Sequence, residues 1–129
     1  MENGYILKQI NIKSHKEYNN IISELNKSYP FSDIFICDAS MYINWHYHTD
    51  DEVRLIIDGE CYFKFKEDEV IKAIPGTFIK IPKGVLHSFE CSQKTPVKAL
   101  RYFSNNENWD AKFTLFILIH IHQERNFFS

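Results

Sequence analysis

Apolar residues in this chain repeat with two different periods, which predicts one helix followed by a series of strands. The helical segment begins at a capping box formed by Ser14 and Glu17, whose side chains satisfy backbone N–H groups of the first turn, and it ends before Pro30. The apolar stripe that follows the capping box has the spacing of one helix face. The stripe consists of Tyr18, Ile21, Ile22 and Leu25.

From residue 33 onward the apolar period is two, and turn residues recur at short intervals. Asp58-Gly59 between two apolar runs is a hairpin signal, while Pro75-Gly76 and Pro82-Lys83-Gly84 separate later strands. Many short antiparallel strands with tight turns predict an all-β sandwich or barrel, to which the helix is a short amino-terminal addition. The predicted strands cover residues 34–37, 41–48, 52–58, 60–66, 70–74, 77–81, 87–91 and 97–103.

Composition and charge narrow the classes of partner. The formal net charge of −2, without a basic face or a charged tail, argues against nucleic acid and against a membrane surface as partners. The apolar run at 113–119 is too short to span a bilayer as a helix, and it is predicted to be a strand or a tail that packs on the core. Three widely spaced cysteines without a C-x-x-C pair, and a start without an apolar signal core, predict a cytoplasmic location.

One segment combines the pattern of a buried strand with chemically active side chains. Residues 45–59 read W-H-Y-H-T-D-D-E-V-R-L-I-I-D-G. We assume that the chain either stays extended here or turns in a way that keeps the alternation of side chains in step. Four polar side chains then lie on one face, opposite Val53, Leu55 and Ile57. Burying charge is costly unless the charge is paired or bound to a metal. The four polar residues are His46, His48, Glu52 and Arg54.

A third histidine, His87, follows a Pro-x-Gly turn at the start of another strand. With His46, His48 and Glu52 it makes a donor set of three nitrogens and one oxygen, which suits iron, nickel, manganese, cobalt or zinc. Four protein ligands on a six-coordinate ion leave two adjacent positions open for a substrate or for dioxygen. Each feature taken singly has a structural explanation. An H-x-H pair is often a surface pair, Glu52 and Arg54 can form a cross-strand ion pair, and His87 can be a turn residue that bonds to the backbone. The joint pattern favours a metal site.

Two motifs in this region resemble those of the cupin superfamily. H-x-H-x3-E-x6-G runs from His46 to Gly59, and G-x5-P-x-G-x2-H runs from Gly76 to His87, with the superfamily's spacing throughout. Four further stretches are similar to motifs of the acireductone dioxygenase family, so the resemblance extends over roughly residues 40 to 114. These stretches are D-E-V-R-L (51–55), H-S-F (87–89), V-K-A-L-R-Y-F (97–103) and W-D-A-K-F-T (109–114).

The resemblance implies a mainly all-β fold, the cupin β-barrel or double-stranded β-helix. It implies a single cupin domain over residues 1–129, with a helical lead-in at 1–32, a metal-binding barrel at 33–114 and an atypical tail at 115–129. In this tail His120 and His122 are predicted to be the polar face of a terminal strand. The implied metal ligands are His46, His48, Glu52 and His87.

The chain departs from these patterns at several places. Cys91 stands where the second cupin motif often has asparagine. Relative to acireductone dioxygenases, Trp45 stands where a glutamate usually precedes the first ligand, the region before residue 40 is shorter than usual, and the sequence after Thr114 is unlike the usual ending. Because the family's glutamate can assist proton removal from the substrate, its replacement by Trp45 predicts slower turnover.

The resemblance also implies a reaction. The substrate would be an acireductone, 1,2-dihydroxy-3-keto-5-methylthiopentene, bound as a doubly deprotonated ene-diol and cleaved by dioxygen in methionine salvage. With iron, the first candidate for the cofactor, the products would be formate and the 2-oxo acid precursor of methionine. With nickel, the alternative, carbon monoxide would also be released.

Three further residues are candidates for handling the substrate. Arg54 and Arg101 are expected to orient and stabilise the bound anion, although Arg54 can equally be a structural partner of Glu52. Phe89 is expected to stack on the substrate or else to belong to the core.

Two other functions fit the same residues. One is a cupin enzyme that acts on another small oxygenated substrate, and the other is a non-catalytic cupin that binds a metal or a small molecule. The expected partners are a small-molecule substrate and dioxygen, and the chain is expected to be a monomer or a homodimer.

Overall fold

The computed structural model describes residues 4–104 of the chain. The predictions for the run at 113–119, for His120 and His122 and for the tail at 115–129 lie outside these residues. Within the described range the all-β class with one amino-terminal helix is confirmed. The elements in order are β1 (Ile6–Gln9), α1 (His15–Ser28), β2 (Phe31–Cys37), β3 (Tyr42–His46), β4 (Glu52–Asp58), β5 (Cys61–Lys66), β6 (Glu69–Ala73), β7 (Thr77–Ile81), β8 (His87–Cys91) and β9 (Val97–Phe103).

The strands form two antiparallel sheets that share one core. The five-stranded sheet has the order β1-β7-β4-β9-β2, and the four-stranded sheet has the order β3-β8-β5-β6. Over residues 4–104 the predicted barrel is therefore a pair of separately hydrogen-bonded sheets and not one continuous ladder. The core between them draws apolar residues from both sheets, and it includes Cys37, Ile56, Ile79, Val97, Cys61, Phe63, Phe89 and Cys91.

The helix packs on the outer face of the five-stranded sheet. Its apolar stripe contacts Val53, Leu55 and Tyr102, so β4 is covered on both faces. At its start Ser14 Oγ accepts from the Glu17 backbone N–H at 3.3 Å, as the capping box predicts. The Glu17 carboxylate, however, accepts from the Asn11 backbone N–H at 3.2 Å. The predicted box is therefore only half formed, because the segment before the helix folds back onto Glu17. No helix in the described part of the chain is long and apolar enough to cross a membrane.

The chain crosses from one sheet to the other between β3 and β4. The strand predicted at 41–48 ends at His46, and residues 47–51 lead to β4 in the five-stranded sheet. Two hydrogen bonds tie this crossing to the turn after β7: Gly84 N–H donates to the His48 carbonyl and Lys83 N–H donates to Asp51 Oδ1, each at 2.9 Å. The two motifs of the sequence therefore hold each other in place.

A β-bulge at the end of β3 sets the direction of His46. Ile43 pairs with Phe89 and His46 pairs with His87, so three steps along β3 match two steps along β8. The extra residue puts Ile43 and His46 on the same face, although simple alternation would separate them. Because Ile43 packs against the core between the sheets, His46 also points between the sheets.

Candidate metal centre

The four predicted metal ligands converge between the two sheets. His46 and His87 pair directly across β3 and β8, Glu52 begins β4 in the opposite sheet, and His48 lies in the crossing segment. One ring nitrogen from each histidine lies within 4.8 Å of the others. No more than 4% of any of the four side chains is exposed. The fold thus brings together residues from both sheets at one buried point.

Glu52 presents one carboxylate oxygen to the histidines. Its Oε1 lies 3.2 Å from His48 Nε2 and 3.8 Å from His87 Nε2. Ligands about 2.1 Å from a shared ion lie about 3 Å apart when adjacent and about 4 Å apart when opposite, so these separations fit one metal ion. Among the described residues neither Glu52 Oε1 nor His87 Nε2 has a hydrogen-bond partner, although both atoms are buried. A bound cation would satisfy both atoms.

Two of the imidazoles are oriented by backbone carbonyls. His46 Nδ1 lies 2.7 Å from the Asn44 carbonyl oxygen, and His87 Nδ1 lies 2.9 Å from the Val85 carbonyl oxygen. A carbonyl only accepts, so each Nδ1 carries the hydrogen and each Nε2 keeps its lone pair for a metal. In both cases the carbonyl lies two residues before the histidine.

Burial sets the protonation states of the site. It lowers the pKa of His46 to about 4 and that of His87 to about 3, although the hydrogen bonds to the carbonyls act in the opposite direction. Burial would raise the pKa of Glu52, but the charges of Arg54, His48 and His87 and the Arg54 hydrogen bond lower it to about 2. Near pH 7, His46 and His87 are therefore neutral and Glu52 is ionised, which are the forms that bind a metal.

Arg54 lies on the side of Glu52 that faces away from the histidines. Its Nε donates to Glu52 Oε2 at 2.8 Å, and the residue is 2% exposed. Its guanidinium carbon lies 4.7 Å, 5.6 Å and 5.1 Å from three ring centroids, a distance range typical of cation–π contacts. These rings, called here the phenylalanine cage, are Phe35, Phe63 and Phe89.

Arg101 pairs with Arg54 in the β4–β9 register but has a different carboxylate partner. Its Nε and Nη2 donate to the two oxygens of Asp33 at 2.9 Å and 2.6 Å. Its guanidinium carbon lies 4.8 Å from the Phe35 ring centroid, so both arginines contact the same ring. At 15% exposure the Arg101 side chain is closer to the surface than Arg54.

The structure adds residues that the sequence did not single out. Phe35 and Phe63 complete the cage with Phe89, which is 1% exposed and belongs to the core, and Asp33 binds Arg101. Alternation along β2 would place Asp33 and Phe35 on one face. It does not reveal that this face meets β9 and the arginines, because strand order is not encoded locally.

Trp45 and Cys91, the two single-residue departures from the motif patterns, are both buried. Trp45 is 7% exposed, and its indole N–H has no hydrogen-bond partner among residues 4–104. The Cys91 thiol donates to the Cys37 carbonyl oxygen at 3.4 Å, which places residue 91 in the core and away from the ligand set.

The two-sheet fold and the buried cluster of three histidines define a cupin with a candidate metal site. Comparisons with known proteins give the family. The model of the ARD/ARD' family matches residues 6–111, so the chain belongs to this family.

Three known proteins illustrate the similarity. The chain is 30% identical over 112 residues to the acireductone dioxygenase of Drosophila pseudoobscura pseudoobscura, an alignment that covers 84% of this chain and 58% of that protein. The acireductone dioxygenase of Bacillus anthracis, solved with a cadmium ion in its active centre, superposes with a TM-score of 0.68 at 23% identity, covering 87% and 84% of the two chains. A cupin superfamily protein from Desulfitobacterium hafniense superposes with a TM-score of 0.50 at 20% identity, covering 57% and 66%.

These comparisons confirm the predicted family and fold. The two superpositions are below 25% identity, so they bear on the fold alone. The chain spans about half the length of the curated relatives it matches. The subdivision of residues 1–129 into lead-in, barrel and tail stays a prediction.

Proposed function

We propose that this protein is a metal-dependent dioxygenase that cleaves an acireductone with dioxygen in methionine salvage. The observation that carries the proposal is the family match together with the buried convergence of His46, His48, Glu52 and His87. These four residues would hold one divalent ion, with iron as the first candidate and nickel as the alternative. When bound, the ion supplies Lewis-acid polarisation of the substrate and a site for dioxygen.

The charges around the site support a doubly negative substrate. The negative charges of Glu52 and Asp33 match the positive charges of Arg54 and Arg101, while His46 and His87 are neutral near pH 7. If His48 binds as a neutral imidazole, a divalent ion would leave two net positive charges in a site of low dielectric, which complements an ene-diol dianion.

Within this proposal Arg101 is the residue that orients the substrate anion. It is the more exposed of the two arginines, and the Phe35 ring lies against both of them. Phe89 would limit the site as a wall of the phenylalanine cage, and it would exclude water from the reacting carbon atoms. We place the reaction in the cytoplasm, because the three cysteines are buried as free thiols, a state typical of a reducing compartment.

The function is tested by metal content and by product analysis. We expect protein purified without chelators to hold about one equivalent of a divalent transition metal, because four buried ligands converge on one point. Elemental analysis measures the metal, and His87→Ala should abolish its binding. His15→Ala removes an exposed histidine at the start of α1 and is the matched control. A folded wild type that takes up no metal under replete conditions would overturn the proposal.

The substrate is tested by an aerobic assay with a synthetic acireductone on iron-loaded and nickel-loaded protein. Oxygen uptake with formate release is the expected result, with carbon monoxide as an additional product of the nickel form. Metal binding without oxygen uptake would favour a non-catalytic cupin. Oxygen uptake with other small enediols or ketones, but not with the acireductone, would favour another cupin enzyme.

A further inference from the structure

The two carboxylate oxygens of Glu52 lie in different surroundings. Oε1 faces His48 and His87 and has no hydrogen-bond partner among the described residues. Oε2 accepts a hydrogen bond from Arg54 Nε at 2.8 Å. One oxygen therefore belongs to the ligand cluster, whereas the other is directed toward a buried cation.

We propose that Arg54 is a positioning residue that restricts Glu52 to one metal-binding oxygen and thereby keeps a coordination position open for a chelating ligand. The inference rests on the proposed metal site but not on the identity of the substrate. It gives Arg54 a role through Glu52, in contrast to direct contact with a bound anion.

The phenylalanine cage leaves Arg54 little freedom to release Glu52. The guanidinium carbon lies within 5.6 Å of three ring centroids, and the residue is 2% exposed. Its Nη1 has no hydrogen-bond partner within residues 4–104. Breaking the Nε bond would leave the buried guanidinium without a carboxylate partner, which is costly in a protein interior. The pair is therefore held firmly.

A carboxylate with both oxygens available can chelate a metal. Chelation by Glu52 would occupy two of six positions, and with three histidines only one position would remain. With Oε2 held by Arg54, the four residues would take four of six positions, and two positions would stay open. The hydrogen bond from Arg54 thus decides whether a ligand with two donor oxygens can bind.

Arg101 provides a natural comparison for Arg54. Both arginines face each other in the β4–β9 register and both contact the Phe35 ring. Arg101, however, donates to Asp33 through Nε and Nη2, and no described hydrogen bond joins it to Glu52. A change at Arg101 removes the same charge from the same neighbourhood without releasing Oε2.

The test compares two anionic probes on the Co²⁺-loaded protein. Acetohydroxamate chelates through two oxygens, whereas azide takes one position, and each carries one negative charge. Loss of an arginine charge lowers the affinity for both probes, so the ratio of their affinities measures the open positions. We expect Arg54→Gln to lower acetohydroxamate affinity about tenfold more than azide affinity, seen in the visible absorption of the cobalt ion.

Two controls make the outcome specific. Arg101→Gln changes the residue proposed to orient the anion, so it should lower both affinities, but it should not reproduce the roughly tenfold shift in their ratio, because it does not release Glu52 Oε2. In a Glu52→Gln background, where the amide cannot chelate, Arg54→Gln should leave the ratio unchanged. An equal loss of affinity for both probes in Arg54→Gln, or the same change of ratio in the Glu52→Gln background, would show that Arg54 contacts the anion directly and would overturn the inference.

A second measurement needs no variant and covers the case in which Arg54→Gln fails to fold. Infrared difference spectra of wild-type protein labelled with ¹³C-glutamate, with and without Co²⁺, separate one-oxygen from two-oxygen carboxylate binding. One-oxygen binding is expected, and a two-oxygen signature contradicts the inference. Failure of the wild type to bind Co²⁺ at all would instead contradict the proposed function.

Discussion

At the scale of single residues, Trp45 stands where the family resemblance leads us to expect a glutamate. It directly precedes the first ligand, lies in the bulge of β3 and is buried. The usual glutamate would offer a proton acceptor beside His46, whereas an indole N–H only donates. The chain therefore has all four predicted ligand residues but lacks one candidate base for the substrate protons.

This difference gives a kinetic prediction. We expect Trp45→Glu to raise kcat for acireductone cleavage by at least about tenfold, because a positioned base typically contributes that much or more. Steady-state oxygen uptake at saturating substrate measures the change, with rates normalised to bound metal. Trp45→Gln has a similar side-chain volume to the glutamate variant but no basic carboxylate, and it should stay at the wild-type rate. Equal rates in all three proteins would show that the base lies elsewhere.

At the scale of elements, the sequence predicted the convergence of the four candidate ligands better than the path of the chain between them. His46, His48, Glu52 and His87 were predictable because motif spacing marks each of them separately. The crossing at residues 47–51 could not be predicted. An extended connection directs alternate side chains to opposite sides just as a strand does, so both give the same sequence pattern.

Other parts of the site depend on contacts that no local pattern encodes. The bulge before His46 appears only in the pairing of β3 with β8. The phenylalanine cage joins Phe35, Phe63 and Phe89 from three separate strands. Strand β1 was missed as well, since its four residues include only one partly buried side chain at the edge of a sheet.

Two turn glycines of the motifs provide a prediction about element geometry. Gly59 has φ +82 and Gly84 has φ +78, so each occupies the left-handed region that favours glycine. A Cβ on Gly59 would clash with the Pro96 carbonyl oxygen, whereas a Cβ on Gly84 would have nothing within 4 Å. We therefore expect the two positions to differ in their tolerance of alanine.

Gly84→Ala should lower the free energy of unfolding by about 1 kcal/mol, the cost of the backbone conformation alone. Gly59→Ala should lower it by roughly 2–5 kcal/mol, because a backbone clash adds to that cost. Urea denaturation of the metal-free proteins measures both values. Equal losses would mean that the 58–59 turn moves away from Pro96 without cost.

At the scale of the whole molecule, three of the candidate metal ligands and all three cysteines lie on strands of the two sheets, in the core between them. His46 and His87 belong to the four-stranded sheet and Glu52 to the five-stranded sheet, so a bound ion would link the two. The cysteines are divided in the same way. Cys37 lies on β2, while Cys61 and Cys91 lie on β5 and β8, and each is at most 1% exposed.

The thiols are therefore expected to react only when the sheets separate. Burial raises the pKa of Cys61 to about 12, and burial and the hydrogen bond with Cys91 raise the pKa of Cys37, so these two residues carry almost no thiolate near pH 7. Iodoacetamide labelling followed by mass spectrometry should thus proceed through the opened state. An ion that binds only the closed state should slow labelling about a hundredfold at a free concentration of 100 times its Kd.

His87→Ala is the control for this effect, because it keeps all three cysteines but removes a ligand from the four-stranded sheet. Its labelling rate should be the same with and without the metal ion. If the ion binds the wild type but leaves the labelling rate unchanged, the cysteines open locally while the ligand cluster stays assembled. The interface between the two sheets would then consist of two regions that open independently, and the ion would stabilise only the region that contains Glu52.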